Sequence, residues 1–317
     1  MKALKKFFEI REASILLIFI AFCVVMTIAS PFFLTQSNMT ATILGAACNM
    51  FLVTAMTVIL ACGGIDLSVG STMSLAGVVL AYLSMQKGVP VLPAAIIGVL
   101  CAVGIGAVNG LICSRTTIAP MICTLGTMSI AKGIAMVLSK GAGISVAQLP
   151  ASFLNLGKGM VGPIPILILL GVIVAVIFGF LLRNSSMMRK VYYVGSNAQA
   201  ADYSGINVAK VKMGVYILSG LLCGISGVLA AARFTVASPI IGDGQEMTAI
   251  SSAVIGGASL NGGIGSILGS MLGLLLLSFI NNALVLLNVN VYWQEFINGV
   301  ILLLAVLIDY FSHRNEN

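Results

Sequence analysis

Long apolar runs without charge dominate this chain, residues 15–28 being the plainest example. They cannot be hidden behind a charged shell. Only 8% of the 317 residues are charged and 59% are apolar, whereas a soluble domain carries roughly 25% charged residues. That excludes an ordinary soluble enzyme, a disordered chain and, despite the net charge of +7, a nucleic-acid binder. The class that remains is an all-α polytopic membrane protein. A membrane barrel would alternate apolar and polar residues at period two, and these runs do not alternate.

A helix needs ~20 apolar residues to cross a bilayer. The pattern predicts about ten transmembrane segments at 13–30, 40–61, 67–85, 91–113, 118–138, 162–182, 213–232, 247–260, 264–287 and 293–309. The eighth is too short to span alone and is read as a half-helix or re-entrant segment. All the prolines (31, 90, 93, 120, 150, 163, 165 and 239) fall between segments or in a first turn, where the missing N–H does least harm. The chain is therefore read as a single transmembrane domain over 1–317 with one sizeable polar loop at 183–212.

Basic residues orient these segments. With the N-terminus in the cytoplasm, Lys2, Lys5, Lys6, Arg11, Arg115, Arg183, Arg189, Lys190, Lys210, Lys212 and Arg314 lie inside, and Lys87, Lys140, Lys158 and Arg233 outside. This bias follows the positive-inside rule and puts both termini in the cytoplasm. The basic start followed by an apolar run also fits a signal peptide. The run is longer than a typical signal core, which favours a first membrane anchor.

Three segments break the apolar pattern. In 62–71, three glycines surround Asp66 and Ser68. A carboxylate facing lipid costs about 2.5–3.5 kcal/mol on insertion scales. Asp66 is thus either the N-cap of the third segment or part of a broken-helix element lining a path. In the basic loop, Asn197 is a good N-cap, the following residues suit a short helix, and Gly205 suits its end. Alone, that helix is too short to persist in water; its small face of Ala198 and Ala201 suits a partner's groove, or else the helix packs on its own membrane domain. Residues 255–266 are glycine-rich and are preceded by Gly242, Asp243, Gly244, Gln245 and Glu246. Such backbone at membrane depth must line a cavity or lie inside protein. Asn281 and Asn282 follow, satisfying neighbouring helices or contacting a polar solute, and Tyr292 and Trp293 suit an interfacial belt. Lys132, within a segment, either snorkels or pairs with a carboxylate.

The seven cysteines form no CxxC pair and the single histidine, His313, is in the tail. A metal or redox site is not expected, nor is a catalytic residue. No P-loop is present, and no row of intramembrane carboxylates suited to proton relay. Energy for uphill transport is expected from another subunit, acting through the basic loop.

Several ordered motifs resemble those of the ribose-type permeases, the membrane subunits of bacterial ABC importers for simple sugars. The resemblance rests on the run Gly64-Ile-Asp-Leu-Ser-Val-Gly70, on Tyr193 to Asn197 with Ala200 and Ala201, and on Ser204 to Val208. It continues through Arg233, Pro239, Gly242, Gly244 and Glu246, the glycines of 256–265, Asn281, Asn282 and Tyr292 to Gln294, so that it covers about 40–309. Met247 and Thr248 stand where the family commonly has leucine and aspartate. The resemblance implies a type II ABC importer-like fold in the bacterial inner membrane. It implies a second permease subunit, identical or paralogous, two ATPase subunits that carry ATP and Mg, and a periplasmic or lipid-anchored sugar-binding protein. This chain would bind no cofactor. The ATPase would dock on Asn197, Ala200, Ala201, Ser204, Gly205, Ile206 and Asn207. The translocation path is expected at Asp66, Ser68, Glu246, Asn281, Asn282 and Gln294. Two other readings remain: a branched-chain amino acid-type ABC permease and a stand-alone secondary transporter.

Overall fold

Proline, glycine and capping side chains cut the apolar sequence into helices close to where hydropathy predicts them. The computed structural model describes residues 11–314; Lys2, Lys5, Lys6 and the side chain of His313 lie outside the described residues. The helices are α1 (Arg11–Ala29), α2 (Gln36–Ala61), α3 (Val69–Ala81, extended by a π turn at Tyr82–Gln86), α4 (Val91–Arg115), α5 (Pro120–Ser139), α6 (Ala151–Lys158) and α7 (Ile166–Asn184). They continue as α8 (Ser186–Ser196), α9 (Ala198–Tyr203), α10 (Val208–Phe234), α11 (Gln245–Ile255), α12 (Ile267–Leu286) and α13 (Val291–Arg314). Among the described residues, eight helices are long and apolar enough to cross a membrane: α1, α2, α3 with its π turn, α4, α5, α7, α10 and α12. The short eighth segment is α11, and α13 stands where the tenth was expected. Side chains cap several starts. Thr35 accepts from the Asn38 N–H at α2, Asn207 from the Lys210 N–H at α10, and Ser266 from the Gly269 N–H at α12, satisfying donors that would otherwise be orphaned.

Some boundaries move. The sixth segment starts at Ile166 rather than 162, because 160–165 folds into a small hairpin of β2 (Met160–Val161) and β3 (Ile164–Pro165). The eighth ends at Ile255, and most of 256–266 is irregular. The loop 139–161 contains α6, which the glycine-rich sequence does not announce, and β1 (Ile144–Ser145), which pairs antiparallel with β4 (Val236–Ala237).

The centre is built from α2, α3, α4 and α10. Small residues recur every fourth position on α4, at Gly98, Ala102, Gly106 and Gly110, and on α10 at Gly220 and Gly224. A Cβ on Gly106 would run into the Tyr216 carbonyl, and one on Gly220 into that of Ala102. The two backbones therefore touch, as small-residue seams allow where lipid supplies no hydrophobic drive between helices. A matching contact joins α3 to α10, where a Cβ on Gly227 would strike the Met73 carbonyl. Peripheral helices expose large apolar side chains such as Val25, Ile28, Val137, Val176 and Phe180, a surface suited to hydrocarbon.

Candidate functional site

At the end of α2 remote from the basic loop, α2, α11, α12 and α13 part to leave a crevice with two chambers. One, of about 380 Å³, is lined by Thr42, Gly45, Asn49, Gln245, Ser278, Asn282 and Gln294 among others; the second, about 290 Å³, by Met247, Ser251, Asn298 and Leu302. Thr248, Leu277 and Asn281 border both. None of the lining residues is charged. Three of the expected path residues thus meet here: Asn281, Asn282 and Gln294. The two asparagines differ in their bonds. Asn282 exchanges amide hydrogen bonds with Asn38 on α2, 3.0 and 2.8 Å, so its amide ties two helices together. The Asn281 Oδ1 is buried and has no such partner among the described residues, and the same holds for Gln245 Oε1.

Asp66 and Ser68 lie elsewhere, inside the protein. Asp66 is 3% exposed. Its Oδ1 accepts from the Ser68 N–H at 2.9 Å and the Ser68 hydroxyl at 2.6 Å, and its Oδ2 from the Ser219 hydroxyl at 2.9 Å. Ser68 Oγ in turn accepts from Asn109 Nδ2 at 3.0 Å, and Asn109 Oδ1 from the Thr127 hydroxyl at 2.7 Å. One carboxylate thus anchors a chain of donors that joins α3, α4, α5 and α10. The N-cap expectation needs correcting: Ser68, not Asp66, is the N-cap of α3, and it makes no side-chain cap bond. Asp66 instead closes a turn onto Ser68 two residues on, a habit of short polar side chains, because burial demands that its oxygens find donors at once. Glu246, in the first turn of α11, lies against Gly70 at the start of α3, where a Cβ would come within 2.8 Å of Glu246 Oε2. It does not line the crevice. Lys132 on α5 takes the paired alternative, meeting Asp243 Oδ2 at 2.7 Å.

The basic loop is more structured than its sequence announces. It begins with α8, absent from the sequence reading. It continues with α9, where the Asn197 side chain accepts from the Ala200 N–H at 2.9 Å as expected. Gly205 follows at φ +80°, a left-handed residue that lets the Ile206 N–H reach back to the Ala201 carbonyl at 3.0 Å. Ser204 bonds the Ala200 carbonyl through both N–H and Oγ. The expected partner-facing role of Ala201 is overturned: it is 4% exposed and packs in an apolar cluster with Val191, Val194 and Ile206. The α9 surface that remains free carries Gln199, Asp202 and Tyr203, the tyrosine 90% exposed. Small size at position 201 serves inward packing.

Three glycine segments converge beneath this loop. The Gly263 N–H donates to the Ala61 carbonyl at 2.9 Å, joining the end of α2 to the break before α12. Gly195 of α8 presses on both, since a Cβ there would strike the Ala61 carbonyl and come within 2.6 Å of the Gly263 nitrogen. The Tyr192 hydroxyl adds a bond of 2.7 Å to the Gly265 carbonyl. The sequence shows both breaks as glycine clusters but not that α8 is seated on them. Asn109 and Thr127 also escaped sequence reasoning, and Gln245 and Thr248 were noted there without being placed on the path. Asn109 had a usable signal, as an amide isolated in the apolar run of α4.

Residues 38–306 match the family model described as branched-chain amino acid transport system / permease component. The ribose import permease protein of Bacillus subtilis (strain 168) is 35% identical over 286 residues, 90% of this chain and 88% of that protein. The L-arabinose ABC transporter permease protein of Azospirillum brasilense is 35% identical over 307 residues, covering 97% and 89% of the two chains. The D-allose transport system permease protein of Escherichia coli (strain K12) is 37% identical over 291 residues, covering 89% and 86%. No solved structure gives a significant match. With near full-length coverage by relatives of one kind and a matching all-helical membrane fold, the chain belongs to this permease family, among its sugar ABC permeases.

Proposed function

We propose that this chain is the membrane subunit of an ABC importer that carries a monosaccharide across the bacterial inner membrane. The observation that carries the reading is the crevice: uncharged, with amide and hydroxyl groups set among a larger share of apolar surface. An uncharged polyol is matched by amides and hydroxyls. A zwitterionic amino acid would bring a carboxylate and an ammonium to a lining without charged side chains, and charges left without counter-charges in a low-dielectric site are costly. This favours the sugar over the branched-chain amino acid alternative. The relatives named for ribose, L-arabinose and D-allose support the same class.

In this reading the chain is one transmembrane domain, its basic end faces the cytoplasm and the crevice opens outward. Two ATPase subunits supply the energy, a second permease subunit completes the path, and a binding protein delivers the sugar. The ATPase grips the loop from Asn197 to Asn207 through the exposed Gln199, Asp202 and Tyr203. Because α8 sits on both glycine breaks, displacement of the loop acts on the ends of α2 and α12, which also wall the crevice. Transport is then a shift between two states that the ATPase binds unequally. The permease does no covalent chemistry, and ATP and Mg belong to the partner. The test is reconstitution in vesicles. With ATPase and binding protein, ATP should drive uptake of ribose, arabinose or allose but not of leucine. Accumulation by the permease alone on an ion gradient would instead establish a secondary transporter.

A further inference from the structure

Neighbouring amides in the crevice have opposite fates. Asn282 spends its amide on Asn38, whereas Gln245 Oε1 and Asn281 Oδ1 are buried without a partner among the described residues. A buried acceptor left unpaired costs about 1–3 kcal/mol. Both residues line the larger chamber, but the two oxygens are turned away from its open space; rotation of either amide towards a donor arriving with the solute would relieve that cost. Thr248, between the chambers, directs its own hydroxyl proton to the Gly244 carbonyl at 3.3 Å and so presents lone pairs as well. Leu277, Met247 and Leu302 supply apolar walls. We infer that Gln245 and Asn281 form a hydroxyl-accepting subsite for a neutral polyhydroxylated solute, its O–H groups donating to the two amide oxygens and its C–H face lying on Leu277.

The chemistry is selective. An anionic solute would meet acceptors and no cation. A solute without hydroxyls would leave both oxygens unpaired. The chamber of about 380 Å³ falls in the range of small-molecule pockets, about 300–1,000 Å³. This subsite rests on the monosaccharide reading above and adds the atoms that would hold the sugar.

The test uses the complete transporter in vesicles, with monodeoxy derivatives of whichever of ribose, arabinose or allose it takes up. For the wild type, loss of the hydroxyl that reaches Asn281 or Gln245 should lower uptake about five- to tenfold, the worth of one well-made hydrogen bond. In Asn281→Leu or Gln245→Met that particular penalty should fall to about onefold. Asn281→Asp, which keeps acceptor oxygens, should retain it. Selection by the binding protein cancels in the ratio between variants, and a merely structural role would lower uptake of all derivatives alike. Penalties unchanged at every hydroxyl in correctly assembled variants would overturn the subsite and leave the monosaccharide reading standing. Should the variants fail to assemble, wild-type uptake indifferent to every single hydroxyl would overturn it equally. Uptake of leucine and of none of the sugars would overturn both.

Discussion

Gly195 and Ala61 meet backbone to backbone: the α-carbon of the one faces the carbonyl of the other with no room for a methyl group between them. The same carbonyl accepts the Gly263 N–H at 2.9 Å, so a helix of the basic loop bears on the ends of two helices that wall the crevice. Packed backbone of this kind does not yield gradually, which suits a junction that passes motion between discrete arrangements.

At that junction, Gly195→Ala should separate energy use from transport. Overpacking of this kind typically costs about 1–3 kcal/mol, enough to shift the loop without unfolding the membrane domain. The expected outcome is an assembled complex whose ATP hydrolysis continues while sugar uptake falls about tenfold. Parallel ATPase and uptake measurements in one vesicle preparation check it, and equal loss of both activities would contradict it.

On α9, the inward and outward faces should respond differently. Ala201→Asp places a carboxylate in the cluster of Val191, Val194 and Ile206, so it should destabilise the permease itself, by about 2 kcal/mol or more. Tyr203→Ala removes an exposed ring and should leave thermal stability within about 0.5 kcal/mol while weakening retention of the ATPase. Co-purification and thermal melting of the two variants distinguish these effects.

Asp66→Asn keeps shape but replaces an acceptor oxygen by an amide that donates, against Ser68 and Ser219, which already donate to it. Hydrogen bonds to a charged group are worth about 1.5–3 kcal/mol each, so a loss of about 2–3 kcal/mol is expected. Ser219→Ala removes a single donor and should cost less. Melting of the purified permease gives the order wild type, Ser219→Ala, Asp66→Asn from most to least stable.

Asn38 and Asn282 should be coupled. Each single change to leucine strands the partner's amide, while the double change leaves two apolar side chains in contact. The double variant should be more stable than the sum of the singles by about 0.5–1.5 kcal/mol, measured by a double-mutant cycle.

The membrane class, the approximate position of the membrane-length helices, the brevity of the eighth segment, and the capped helix after Asn197 were legible in the sequence, whereas α6 and α8 were not. Each depends on neighbours along the chain: run length, hydropathy, a cap, a glycine with a positive φ. The family too was legible, because ordered short motifs survive as linear text. The tertiary structure alone decided which polar groups are occupied. Asn281 and Asn282 are indistinguishable as letters, yet packing against α2 uses one and leaves the other's oxygen without a partner among the described residues. Asp66 read as a cap or a path residue until Ser219, far along the chain, came within 2.9 Å of it. Ala201 read as an outward contact until α9 turned it into an apolar cluster. Partners separated by many residues are chosen by how helices cross and how closely glycine lets them approach, and no local spacing encodes that choice.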